Sequence, residues 1–406
     1  MTSAAPGSLE SFIRLEASQR RLKLPRDGAA VLAGLDYELE IEIKNEALRR
    51  FFRHHELPGR PERIIPSPRP RGYRTTSKRR CRHAAIGGRQ GREIAHEAFF
   101  SAGEGAAMLE PEEHGRIFAF LEERLQDPAF APLARALNFI IIRGTYEEFL
   151  VVFNLQTMNR GLHRLLLRAA AALRLQEAKV SSVFLIIDPS RSSYYLEADT
   201  PRGAFPIKRL FGPKGFRLKV GSVSFFVPPL AFSQVNESIL LPLVEGARSL
   251  LAPERGMRLL DLYCGYGLFA FTLGREYREV IAVDEAHASV RAGRDMTART
   301  AGYQRIRFLA AAIERRSLET ALPPPLRPGE EDVLLDPPRH GVGAVVIGSI
   351  ARRRPGRVLH LFCAAEEMPP AIGHWRREGY FVRRVLPLDM FAGTPQLETM
   401  VLLTPA

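Results

Sequence analysis

The stretch Leu259-Leu-Asp-Leu-Tyr-Cys-Gly-Tyr-Gly267 decides the fold. Leu259, Leu260 and Leu262 suit a short buried strand, Gly265 and Gly267 make a turn that brings backbone close to a ligand, and 268–273 opens a helix. A strand fed into a helix through a glycine turn is the first unit of a doubly wound α/β sheet, which binds its ligands outside the carboxyl ends of the strands. Asp284 closes the next expected strand, about twenty residues on, where a carboxylate can accept hydrogen bonds from ribose hydroxyls. The third glycine of the pyrophosphate fingerprint is missing, so a ribose-bearing cofactor without phosphates, such as S-adenosylmethionine, fits better than a dinucleotide. The competing reading of Asp261 and Asp284 is helix capping.

Working outward, regular β-α alternation runs from about residue 217 to the end, with strands expected at 258–263, 280–284, 306–310, 332–336, 358–363, 381–386 and 397–403. Such alternation means a mainly parallel sheet with helices on both faces. Upstream, strands at 138–143, 149–154 and 180–188 and a helix at 161–175 form a second α/β block, and 112–126 reads as an amphipathic helix. Residues 9–24 and 36–54 have helical apolar spacing; in the latter, Leu39, Ile41, Ile43, Ala47, Leu48 and Phe51 mark one face. The Pro- and Arg-rich piece 58–92 reads as loop with one short strand near Tyr73, because Pro66, Pro68 and Pro70 exclude a helix. The domains expected are 1–60, a helical N-terminal segment; 61–215, a basic loop with a central α/β domain; and 216–406, a Rossmann-like catalytic domain.

Three positions carry candidate chemistry. Asp336-Pro-Pro-Arg339 closes the fourth expected strand, and its paired prolines stiffen the loop and remove two backbone donors, so the carboxylate is presented at the rim. A strand-ending turn would look the same. Cys363 ends the fifth strand on the same edge, a setting for a nucleophile rather than a core thiol. Cys264 competes for that role but sits inside the glycine turn, where packing suits it better. Glu398 enters the last apolar strand, either as a functional carboxylate or as a solvated strand end.

Charge points to a partner. The net charge is +13, and residues 53–92 hold twelve Lys or Arg against only Glu56 and Glu62, a local excess of +10. An Arg-rich genome would spread the excess, whereas a local block suits phosphates. Arg71, Tyr73, Arg74, Lys78, Arg79 and Arg80 form its centre, with Tyr73 available to stack on a base. With 46% hydrophobic residues the chain can build real cores. Cys81, Cys264 and Cys363 include no CxxC pair, so no iron–sulfur cluster and no all-cysteine zinc site is expected, and free thiols suit a reducing, cytoplasmic setting. The first ten residues show no signal peptide, and no apolar run suits a bilayer, so no membrane partner is expected. A monomer is expected.

Together these residues resemble the RNA uracil-5 methyltransferase family, best over 223–403 and more weakly over 36–80. The matching segments are Phe225-Phe-Val-Pro-Pro-Leu-Ala-Phe-Ser-Gln-Val-Asn236, Asp261-Leu-Tyr-Cys-Gly265, Asp336-Pro-Pro-Arg339, Phe362-Cys-Ala-Ala365 and Asp389-Met-Phe391 followed by Thr394 and Glu398. The resemblance implies a class I S-adenosylmethionine-dependent methyltransferase that makes 5-methyluridine in RNA, rRNA favoured slightly over tRNA. It implies cofactor binding by Gln234, Tyr263, Gly265, Asp284 and Asp336, and catalysis by Cys363, Glu398 and Asp336, with no metal. Phe362 and Ala364 replace the usual Ser and Asn around the nucleophile, Leu268 replaces an Asn after the second glycine, and Gln396 stands where a His often precedes the base. A silent RNA-binding protein on a methyltransferase fold, and a methyltransferase for another substrate, are the alternatives.

Overall fold

A computed structural model describes residues 5–86, 95–100, 105–192 and 207–406. The chain divides into two compact units: Met1–Pro70 with Lys219–Phe225 and Ala231–Ala406, and Arg71–Leu218 with Phe226–Leu230.

The first unit is built on seven strands: β1 (Arg258–Leu262), β2 (Glu279–Asp284), β3 (Ile306–Ala310), β4 (Glu331–Leu335), β5 (Arg357–Phe362), β6 (Tyr380–Leu388) and β7 (Glu398–Pro405). Their order is β3-β2-β1-β4-β5-β7-β6. The first five run parallel, and β7 lies antiparallel between β5 and β6. All seven expected strands are present. Asp336 and Cys363 stand one residue beyond β4 and β5 rather than inside them. The order reverses at β1, where the chain leaves toward β2 and β3 on one side and returns as β4 on the other. Such a switch point opens a crevice at the carboxyl ends of the strands.

Two N-terminal helices belong to this unit: α1 (Leu9–Gln19) and α2 (Tyr37–His54). Ser8 caps α1 by accepting from the Ser11 N–H, and Asp36 caps α2 by accepting from the Glu38 and Leu39 N–H groups. The helix expected over 9–24 stops at Gln19, because Arg21 turns left-handed at φ +59°. The separate segment expected over 1–60 is corrected here. Ile13, Ile43, Leu48 and Phe51 share one continuous core with Leu260, Ile281, Val333 and Val358 of the sheet. Burying each such side chain is worth about 1.5–3 kcal/mol, and the apolar stripe of each amphipathic helix is covered by this core.

The second unit carries a six-stranded sheet in the spatial order Ala95–Phe100, Thr76–Ile86, Leu137–Gly144, Phe149–Leu155, Val180–Ile187, Ile207–Phe211. Its pairings are antiparallel except between Phe149–Leu155 and Val180–Ile187, which the helix Arg160–Gln176 joins by a crossover. The helix Glu112–Gln126 lies where the sequence expects it. Its neighbourhood corrects the reading of 58–92: Tyr73 precedes an 11-residue strand, Thr76–Ile86, rather than sitting in a short one. That strand is too polar to be recognised locally. It forms because Thr76 to Arg80 pair with the buried strand Leu137–Gly144. The expected cut at 216 falls just before the strands Phe216–Val220 and Val223–Val227, within which the chain passes between units. Among the described residues no helix is long and apolar enough to cross a membrane.

Candidate active site

The glycine turn follows β1 as expected and is held from the next strand. The Gly265 N–H donates to the Asp284 carboxylate at 2.8 Å, and the Ala286 N–H donates to its other oxygen at 2.8 Å. Gly265 sits at φ +52°, and a Cβ built there would meet nothing within 4 Å, so the turn faces open space. Tyr263 also has positive φ, +63°, an outlier for a bulky residue and the kind of backbone strain that collects at ligand sites. No sequence signal announces it. Asp261 is fully buried; one oxygen accepts from the Ala270 N–H at 2.9 Å, in the helix α3 (Leu268–Leu273), and the other has no partner. The capping reading therefore describes half of Asp261. These features suit a ribose-bearing cofactor: an open glycine turn, a carboxylate fixed by two amides with lone pairs to spare, and an orphaned oxygen beneath.

On the other side of the switch point, Asp336 follows β4. It accepts a long hydrogen bond, 3.4 Å, from the Gln234 side-chain amide. Burial and the charge of Asp284 raise its carboxyl to about 7, against a smaller lowering by Gln234. The strand register brings the remaining pair together. Phe362 of β5 pairs with Thr399 of antiparallel β7, so the next positions, Cys363 and Glu398, face each other. Glu398 is 2% exposed, and one of its oxygens has no partner. Burial and Asp336 push its carboxyl up, partly offset by Arg339. The Cys363 thiol is half-buried and pushed up to about 12 by burial, Glu398 and Asp336, again with Arg339 opposing. Cys264 is buried and held up by burial and the charges of Asp261 and Asp284, with its thiol 3.7 Å from the Gly265 carbonyl. Of the two cysteines, Cys363 is the one on which the charges of both Glu398 and Asp336 act.

Sequence reasoning passed over Arg339 and the support of the Glu398 segment. Arg339 is exposed, donates to Gln396 at 3.3 Å, and is the cation whose charge acts on both Cys363 and Glu398. Its place in Asp-Pro-Pro-Arg was a usable signal. Asp389, at the start of the loop that leads to Glu398, is buried and bonded to Lys44 at 2.6 Å and to the Tyr37 hydroxyl at 3.0 Å. Lys44 is itself buried and also pairs with Glu40 at 2.7 Å, and Glu40 accepts from the Gly393 N–H at 2.6 Å. Lys44 and Glu40 lie one helical turn apart on α2, but nothing local says that their charges point into a core.

The second unit holds the expected RNA contacts, and they fare unequally. Arg74 and Arg80 are exposed, and Arg71 is half-buried. Lys78 lies over the Phe139 ring at 4.3 Å. Arg79 is paired with Glu110 and stacked on Phe118, so it is committed within the fold. Tyr73 is 1% exposed and cannot stack on a base in this conformation; its ring is core, and its carbonyl accepts from Tyr146 at 3.2 Å.

Known proteins bear on this arrangement. The family described as tRNA (uracil-5-)-methyltransferase matches residues 220–406. A 23S rRNA (uracil-1939, C5)-methyltransferase of Alkalilimnicola ehrlichii is 30% identical over 92% of this chain and 79% of its own length. The chain belongs to the RNA uracil-C5 methyltransferase family. An uncharacterized RNA methyltransferase of Thermotoga maritima is 27% identical over 96% of this chain and 86% of its own. The crystal structure of a Pyrococcus abyssi tRNA (uracil-54, C5)-methyltransferase with S-adenosyl-L-homocysteine has the same fold, with a TM-score of 0.67 at 20% identity over 94% of this chain and 85% of that one. The RNA uracil-C5 methyltransferase described here is therefore an S-adenosylmethionine-dependent enzyme on a Rossmann-like fold.

Proposed function

We propose that this enzyme forms 5-methyluridine through a covalent adduct between Cys363 and C6 of the target uracil, in rRNA in preference to tRNA. The register that sets Cys363 opposite Glu398, with Asp336 acting electrostatically on both, is the observation that carries the reading. The rRNA preference rests on the 30% identity to a 23S rRNA enzyme over 92% of this chain.

C5 of uracil is a poor nucleophile until a thiolate adds at C6 and makes C4–C5 an enolate. In this reading the Cys363 proton passes to ionised Asp336, Sγ bonds to C6, and protonated Asp336 keeps that proton while donating a hydrogen bond to the enolate oxygen. The Gly265–Asp284 turn, Gln234 and Tyr263 would hold S-adenosylmethionine, which would supply an electrophilic methyl to C5 and leave as S-adenosylhomocysteine. Ionised Glu398 then removes the C5 proton, the Cys363 thiolate leaves and regains its proton from Asp336, and the C5–C6 double bond is restored. The raised carboxyl of Glu398 is tuned for a base that works in a dry site. The base must leave its stack to reach such a site, so flipping is part of the reading.

The test uses RNA containing 5-fluorouracil, whose fluorine blocks proton removal at C5. A denaturant-stable complex is expected with the wild type and with Cys264→Ala, and none with Cys363→Ala. Trapping that persists in Cys363→Ala refutes the assignment. Nucleoside mass spectrometry of rRNA and tRNA fractions from cells with and without the gene decides the substrate; loss of 5-methyluridine from tRNA alone would overturn the rRNA preference.

A further inference from the structure

In the second unit a cavity of about 640 Å³ is lined by Pro132, Arg135, Gln156, Asn159, Arg164 and Arg168, among others. It shares no residue with the candidate active site or with the basic cluster around Arg74. We propose that it is a second binding surface for the phosphodiester backbone of the RNA substrate; the inference rests on the RNA reading above.

Three guanidiniums line this cavity and no carboxylate does. Among the described residues none of the three is ion-paired, unlike Arg79, Arg116 and Arg258, whose charges are neutralised by neighbours. Arg164 and Arg168 stand four apart on the helix Arg160–Gln176, an i,i+4 pair of like charges that costs the helix stability unless an anion lies between them. Arg135 reaches the same space from the last turn of the neighbouring helix Ala131–Ala136. Arg168 also lies over the Phe130 ring at 5.2 Å, which limits its freedom and pre-positions its fork for a planar or tetrahedral oxyanion. The helix start, capped by Asn159 at 2.9 Å from the Leu162 N–H, contributes further positive potential at the same lining.

The remaining lining separates backbone from base. It consists of Gln156, Thr157 and Asn159 with aliphatic residues and no aromatic ring. A base would need a stacking partner, whereas a phosphate needs cations and neutral donors. The surface therefore adds affinity and orientation without reading sequence.

The test compares the wild type with a triple Arg135→Gln, Arg164→Gln, Arg168→Gln variant, and with a control that loses the same charge elsewhere, Arg255→Gln, Arg299→Gln, Arg316→Gln. RNA affinity is titrated at several salt concentrations. For three lost contacts to single-stranded RNA the slope of log affinity against log salt should flatten by about 2, at about 0.7 per contact, while the control keeps its slope. Unchanged affinity and slope in the triple variant, or an equal change in the control, overturns the proposal. The 5-fluorouracil trap, run in parallel, keeps the two readings apart. A wild type that neither binds nor traps RNA sinks the RNA reading. Trapping with a wild-type slope in the triple variant sinks only this surface.

Discussion

Asp336 carries the most instructive single charge in the protein. Its carboxyl is raised from 3.8 to about 7, because burial and Asp284 disfavour the ionised form more than Gln234 favours it. A raised folded value means that the folded state binds more protons than the unfolded state between those two values. Stability contributed by this group is complete below about pH 4 and lost as pH rises to 7. The difference corresponds to at most about 4 kcal/mol. Asp336→Asn is expected to raise the melting temperature by a few degrees at pH 8, with the gain vanishing at pH 4, while methylation is lost; an identical melting curve at pH 8 would show that the site is not strained by this charge. Glu398 is raised for the same reason, by burial first and Asp336 second. As a base it is competent only when ionised, so product release should speed up as pH rises. Glu398→Gln should still form and methylate the adduct but release it slowly and without that pH dependence. Single-turnover kinetics would reveal the opposite, a variant that releases product at the wild-type rate.

At the scale of elements, α2 and the loop before β7 are one mechanical piece. Lys44, Glu40 and Asp389 are buried together, and Tyr37 bonds both Asp389 and the Ser67 N–H. The Gly393 carbonyl accepts from the Leu32 N–H, and the Gly393 N–H donates to the Glu40 carboxylate. Glu398 follows five residues after Gly393, so its position opposite Cys363 depends on a helix from the other end of the chain. Lys44→Met leaves two carboxylates buried without their cation, a change that typically costs about 3–5 kcal/mol. Urea unfolding should show a loss of that order, partly recovered when Asp389→Asn is added. A loss below about 1 kcal/mol would mean that water reaches the cluster. At the replaced position Gln396 accepts from Arg339, so it still contacts the edge of the site without a titratable ring.

For the molecule as a whole, the charge block at 53–92 is divided between the two units. Arg53, Arg60, Arg63 and Arg69 belong to the first unit, and Arg71 to Arg80 to the second, while the side chains of Arg82, Arg89 and Arg92 lie outside the described residues. Arg79 is spent on Glu110. In the second unit Arg74 and Arg80 are exposed, and Lys78 is half-buried over Phe139. Their joint reversal to Glu should weaken RNA binding and flatten its salt slope while leaving S-adenosylmethionine affinity intact, because Gln234, Tyr263 and Asp284 lie in the other unit. Calorimetry with the cofactor and RNA titrations at several salt concentrations would check both halves; an unchanged slope would make the cluster a solvated face. Arg79→Glu should instead destabilise the second unit, since it sets two carboxylates side by side against Phe118.

Periodicity and turn chemistry are local, and what depends on them was legible from the residues alone. The seven strands of the catalytic sheet, the glycine turn at Gly265, and the strand-end positions of Asp284, Asp336 and Cys363 follow from alternation and spacing, because a doubly wound sheet puts every strand-to-helix turn on one edge. Burial and pairing depend on residues hundreds of positions apart, and only the tertiary structure decided them. It turned Tyr73 inward and Arg79 onto Glu110. It made a strand of the polar run Thr76–Ile86 by giving it the partner Leu137–Gly144. It drew α1 and α2 into the catalytic core and set the charge of Lys44 beneath the loop that leads to Glu398, since an amphipathic face states that it must be covered but not by what.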